Sequence, residues 1–259
     1  MHTQFVASPN GTHIAYDVSG SGPLLLLVHA LGVSRRIWHE AGMVEALSPS
    51  FTVAALDLRG HGESDKPVAA AMYTAEKLLD DLCAVADTIG ADRFSYWGHS
   101  YGATIGIQAA AQLPRVARAV IAGSFFGRQA DEEWLKQAIA GMEQVVRAEA
   151  EGRMDELGLT PQQRESLAAV SPTIMLACLK GIATFPGVEP PDVRCPMLVY
   201  TGTRDHALEP IEAQRHKMEV NGVRLTVFEG LDHQQLVTAR ETVLPPIRAF
   251  LCGEAYSLN

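Results

Sequence analysis

Leu24 to Val28 is a run of five aliphatic residues bounded by Gly22-Pro23 and His29-Ala30-Leu31-Gly32, the pattern of a strand buried on both faces. Short apolar runs recur at Val53 to Leu56, Phe94 to Trp97, Ala117 to Ala122 and Met197 to Tyr200, and Leu225 to Phe228 alternates apolar with polar residues. Between them, Arg35 to Leu47, Ala75 to Ile89 and Ser100 to Gln112 repeat leucine and alanine at three- and four-residue spacing, which predicts helices. Strands alternating with helices imply right-handed crossovers and a mostly parallel, doubly wound α/β sheet flanked by helices. The alternation stops at residue 125. Glu132 to Ala150 and Pro161 to Ile182 are helical patterns with no strand between them, so a core of residues 1–124 and 189–259 is expected to carry a small helical cap, 125–188. Asn10-Gly11, between two short strand-like stretches, reads as a hairpin turn rather than a glycosylation acceptor.

Where the strand at 94–97 ends, the chain reads Gly98-His99-Ser100-Tyr101-Gly102. A serine on a sharp strand-to-helix turn is an exposed nucleophile. Glycines on either side remove side chains that would clash there, and the helix that follows aims its free N–H groups at the same spot. A serine hydroxyl attacks only when a histidine takes its proton and a carboxylate holds that histidine. Asp205 falls just past the strand at 197–200, and His233 lies on the loop beyond the strand at 225–228. All three sit at the carboxyl ends of predicted parallel strands, where ligands of such sheets bind. Asp232, adjacent to His233, is poorly placed to fold back onto that ring, and Gly123-Ser124-Phe125-Phe126 offers no carboxylate after the preceding strand.

The chain order serine, acid, histidine, together with the motif around Ser100, resembles the α/β-hydrolase family, in a serine esterase or enol-lactonase-like branch. The resemblance implies a triad of Ser100, Asp205 and His233. It also implies an oxyanion hole made by the backbone N–H groups of Leu31 and Tyr101, although Ala30 stands where the family pattern has glycine. Asp57-Leu58-Arg59-Gly60-His61-Gly62-Glu63-Ser64 resembles the family segment after its fourth strand and reads as a structural turn. Relatives that open epoxides or carbon–halogen bonds use aspartate at the serine position, so those chemistries are disfavoured. The cap is expected to shape the substrate pocket, with Phe125, Phe126 and Trp134 as its candidate walls.

At 259 residues and a formal net charge of −9, the chain suits one domain and lacks the basic cluster of a nucleic-acid or membrane-surface binder. Cys83, Cys178, Cys195 and Cys252 show no metal or redox spacing, the N-terminal residues have no apolar signal core, and no run is long enough to span a bilayer. These features predict a cytoplasmic protein with reduced thiols, no metal and no cofactor, acting on a small-molecule ester or lactone. They leave its oligomeric state open. Hydrolysis of carboxylic esters of small or medium acyl chains is the leading expectation. The alternatives are carbon–carbon hydrolysis of vinylogous diketones, with Arg128, Arg147 or Arg153 holding a substrate carboxylate, and a slow-turnover ligand receptor of the same fold.

Overall fold

The computed structural model of the protein describes residues 2–254. Eight strands form one sheet: β1 (Gln4–Ala7), β2 (His13–Ser19), β3 (Leu24–Val28), β4 (Thr52–Leu56), β5 (Phe94–His99), β6 (Val116–Ala122), β7 (Met197–Gly202) and β8 (Arg224–Phe228), in the order β1-β2-β4-β3-β5-β6-β7-β8. β1 and β2 form an antiparallel hairpin, with Gly11 in its turn at φ +83°, and β2 runs antiparallel to β4. Every other neighbouring pair is parallel.

The apolar run of β3 is explained by its two buried faces. Leu24, Leu26 and Val28 pack with α3 (Ala75–Ile89) and α4 (Tyr101–Gln112) on one side. Leu25 and Leu27 pack on the other, against α1 (Arg36–Glu40), α2 (Met43–Leu47) and the C-terminal helix, Arg240–Cys252. Alternation with a period of two thus divides one aliphatic run between two cores.

Between β6 and β7 the chain leaves the sheet as α5 (Glu133–Ala150), α6 (Pro161–Ala169) and α7 (Pro172–Ile182). Gly127 and Val188 close the neck of this insertion through an antiparallel bridge, with the Gly127 N–H donating to the Val188 carbonyl at 2.8 Å. After β7 come α8 (Leu208–Ala213) and α9 (Arg215–Val220), and after β8 come α10 (Gln235–Thr238) and α11 (Arg240–Cys252).

Two predicted helices are each split. Gly42, at φ +68°, separates α1 from α2, and Pro172 starts α7 afresh because a proline inside a continuous helix would lack its N–H and clash with the preceding turn. No described helix is long and apolar enough to cross a membrane.

The turn after β4 is a buried ionic knot. Arg35, 3% exposed in its side chain, binds Asp17 at 2.9 Å, Glu63 at 2.6 Å and Asp57, whose carboxylate also accepts the backbone N–H groups of Arg35 and Glu63. Arg59 is fully buried on Asp81, with both carboxylate oxygens at 2.7 Å.

Candidate active site

Ser100 is the one described non-glycine residue with positive φ, at +53° with ψ −109°. Such a conformation costs about 1–3 kcal/mol and persists only where its surroundings over-determine it. The flanking glycines are part of that frame. A Cβ on Gly98 would lie 2.4 Å from the Gly102 carbonyl oxygen, and one on Gly102 would lie 2.4 Å from that of Val28, so no side chain fits at either position. The Ser100 N–H donates to the Ala122 carbonyl at 2.8 Å, which fixes the turn to the end of β6 while α4 begins at Tyr101.

Asp205 and His233 converge beside this turn. His233 Nδ1 is 2.8 Å from Asp205 Oδ1, so a ring protonated at Nδ1 donates to the carboxylate and leaves Nε2 as the acceptor. Asp205 is completed by the Thr201 hydroxyl, donating to Oδ2 at 2.9 Å, and by the Ala207 N–H, donating to Oδ1 at 3.0 Å. Burial works to raise the Asp205 pKa, but the hydrogen bonds from His233, Ala207 and Thr201 outweigh it and hold the carboxyl below its ordinary range. Gly123, at φ +63°, backs directly onto the pair, since a Cβ there would lie 2.8 Å from His233 Cε1 and 3.0 Å from Asp205 Oδ2. Ser100 Oγ and His233 Nε2 are not within hydrogen-bonding geometry of each other here. Contacts of that kind tighten in substrate complexes.

The loop after β3 is held by two histidines. His29 Nδ1 donates to the Ala30 carbonyl at 2.7 Å while its Nε2 accepts the Leu58 N–H at 3.0 Å. His61 Nε2 accepts the Gly32 N–H at 3.2 Å, and its Nδ1 donates to the Arg59 carbonyl at 3.1 Å. Burial pushes the His29 pKa down to about 4 and that of His61 to about 3, so both rings are neutral and can accept. Leu31 is therefore pinned on both sides, and the Gly102 N–H, donating to the His29 carbonyl at 3.1 Å, docks this loop on the start of α4. Among the described residues, the N–H groups of Leu31 and Tyr101 have no hydrogen-bond partner.

Ser100, Leu31 and Tyr101 lie on the wall of a cavity of about 600 Å³ roofed by Leu179 and Ile182 of α7. Of the three aromatic residues expected to line it, Phe125 and Trp134 do, whereas Phe126 is 1% exposed and packs in the main core. The Phe126 backbone is bound there by both ends of the Gln214 amide, at 3.0 and 2.9 Å. Arg128, Arg147 and Arg153 do not line the cavity. Arg128 is 60% exposed near Asp131, and Arg153 pairs with Glu151 and Glu156.

Two further histidines stand beside His233. His99 holds the His233 carbonyl through Nε2 at 2.8 Å, with its ring centroid 4.8 Å from that of His233. Burial, followed by the neighbouring His233, drives the His99 pKa down to about 3, which keeps the ring neutral. His206 lies at the cavity rim with its side chain 76% exposed, 4.3 Å from the His233 ring and with Nδ1 3.3 Å from Asp205 Oδ1. Asp205, His206 and His233 thus each offer a metal-ligand atom, all within 4.8 Å of one another. That grouping joins residues 205 and 233 across a strand and is invisible to spacing rules. Its carboxylate and His233 are already hydrogen-bonded to each other.

Comparison with known proteins agrees with this architecture. The alpha/beta hydrolase fold family matches residues 23–158. The 2-(acetamidomethylene)succinate hydrolase of Mesorhizobium japonicum is 37% identical over 106 residues, which are 41% of this chain and 37% of that protein. The fluoroacetate dehalogenase of a Burkholderia species is 37% identical over 100 residues, 38% of this chain and 32% of that protein. The matched stretch thus spans about a third of the length of these curated relatives. Among solved structures, the enol-lactonase of Burkholderia xenovorans superimposes with a TM-score of 0.72 at 23% identity, over 96% of this chain and all of that one, and shares the fold.

Proposed function

Because the chain belongs to the α/β-hydrolase fold family, we propose that it is a serine hydrolase cleaving carboxylic esters of small or medium acyl chains, lactones included. The observation that carries this reading is Ser100 on its strained turn, at the wall of a cavity open to solvent, with the His233–Asp205 pair beside it. Ser100 Oγ attacks the carbonyl carbon as His233 Nε2 takes its proton, and Asp205 steadies the imidazolium that forms. The N–H groups of Leu31 and Tyr101, left unpaired in the fold, receive the oxyanion. His233 protonates the departing alcohol, then serves as base for the water that releases the acyl group.

Serine in the nucleophile position sets this chain apart from the chemistry named for the dehalogenase relative. The substrates named for both relatives are carboxylates, and among the described residues no lysine or arginine lines the cavity here. The same lack of a cation disfavours the vinylogous diketone reading. Hydrolysis of p-nitrophenyl acetate, butyrate and octanoate by the wild type and by Ser100→Ala tests the proposal. We expect rapid turnover that falls by about a million-fold in a variant of unchanged circular dichroism. A folded Ser100→Ala protein that still hydrolyses these esters refutes it, and tight product retention with negligible turnover by the wild type would favour a receptor.

A further inference from the structure

The cavity above Ser100 carries an uneven charge. Its wall includes two carboxylates, Glu132 and Glu209, and its one other ionisable side chain of the usual acid–base range besides Tyr101 is His206. Burial and the adjacent His233 lower the His206 pKa, which favours a neutral ring. Glu132 and Glu209 have no ion-pair partner among the described residues, although most arginines of the chain are paired to an acid. They come from different parts of the fold: Glu132 stands at the N-cap position of α5 on the insertion, without a side-chain capping bond, and Glu209 lies in the first turn of α8 on the core.

A carboxylate at a helix start is favoured by the helix dipole wherever it points, so either one alone would need no ligand. The dipole does not account for both lining the same cavity, nor for the indole that lines it with them. Trp134, 45% exposed, is among the few large apolar side chains left open to solvent, and it lines this cavity together with Phe125. Aromatic faces and unpaired carboxylates are the two kinds of group that hold an ammonium ion, the first through the ring quadrupole and the second through charge.

Resting on the hydrolase reading above, we infer that the substrate is an ester bearing a cationic amine or quaternary ammonium group, seated between Glu132, Glu209 and the Trp134 and Phe125 rings while its carbonyl meets Ser100. The same field repels anionic esters, and Gln129 and Thr104 are left to serve the neutral polar part of the substrate.

The test compares butyrylcholine with 3,3-dimethylbutyl butyrate, which has the same shape with carbon in place of the charged nitrogen, and with the anionic 4-butyryloxybutanoate. The kcat/KM ratio of cation to neutral isostere cancels any general change in activity. We expect it to be about tenfold or more at low salt, to shrink as ionic strength rises, and to approach one in the Glu132→Gln/Glu209→Gln double variant. A wild-type ratio at or below one, or a ratio unchanged in the double variant, overturns the inference while leaving the hydrolase reading intact. If no ester of any charge is cleaved, the hydrolase reading falls instead. Calorimetric binding of the same esters to Ser100→Ala then decides the charge preference: tighter binding of the choline ester upholds it and equal binding overturns it.

Discussion

Three buried neutral histidines make the stability of this protein depend on pH well above the range where carboxylates titrate. Burial depresses His29 to about 4 and His61 and His99 to about 3, against about 6.5 for the same side chains in the unfolded chain. With the folded pKa values depressed, the unfolded state binds more protons below pH 6.5. The stability these groups contribute is therefore present above 6.5 and lost as pH falls toward 4 and 3. At pH 5.5 each unfolded ring gains on the order of 1 kcal/mol from protonation that the folded ring forgoes, so the three together remove a few kcal/mol relative to pH 7.5. A typical domain has only about 5–15 kcal/mol in total.

Carboxylates held low by hydrogen bonds, such as Asp205, withdraw their contribution only below about pH 4, and Asp81, pushed up by burial, acts in the opposite sense, so a loss between 7.5 and 5.5 comes from the histidines. Urea unfolding followed through the fully buried Trp38 and Trp97 measures the change. In His61→Gln, whose amide can still accept from Gly32 and donate to Arg59, the pH-dependent loss should fall by about a quarter to a third, since one of the three buried rings no longer titrates while His206, also lowered, still does. Coincident urea midpoints at pH 7.5 and 5.5 would refute the reasoning, as would a His61→Gln protein with the full pH dependence.

Asp205→Asn should leave the fold intact but lower kcat by about 10⁴-fold, because the amide favours the wrong His233 tautomer; steady-state kinetics alongside circular dichroism check this. In Gly123→Ala the added methyl meets His233 Cε1 and Asp205 Oδ2 at a left-handed backbone position, so kcat should fall by about tenfold or more with KM less affected. A variant with wild-type kcat would remove Gly123 from the account. Arg35→Met strands Asp17 and Asp57 in the interior and should cost about 3–5 kcal/mol in urea unfolding.

The residues that were legible in the sequence share one property, that a strand end dictates their place. Ser100, Asp205 and His233 each follow an apolar run, and a parallel sheet brings all such ends to one edge, so chain order was enough to assemble them. Phe125 and Phe126 follow β6 in the same way, but consecutive residues of an extended segment point to opposite sides. With no ladder beyond Ala122 to set the phase, the sequence could not tell that Phe125 faces the cavity and Phe126 the core. The ring contacts of His206 and His99 were opaque for a related reason: their partner is a loop residue, His233, on the segment that follows β8. The split at Pro172 was readable from proline alone. A helical pattern read continuously from Pro161 to Ile182 masked it, although the composition also changes there, from the polar PQQRESLAA of α6 to the apolar PTIMLACLKGI of α7.

The segment from Asp57 to Ser64 does build a turn, as its glycines and charges suggest, yet its position reaches the chemistry. The Leu58 N–H fixes His29, His61 fixes Gly32, and Asp57 fixes the backbone of Arg35, so three successive anchors flank the peptide that presents the Leu31 N–H. An oxyanion donor stabilises charge without reorganising only if its carrier cannot move, and a seven-residue loop between β3 and α1 with no side-chain anchors would move. The buried, neutral state of His29 and His61 is what lets them accept those N–H groups; protonated rings would have only donors to offer. The acid sensitivity worked out above and the rigidity of the proposed oxyanion hole therefore have one origin, and His61→Gln should separate them, easing the pH dependence of stability while retaining both hydrogen bonds that hold the loop.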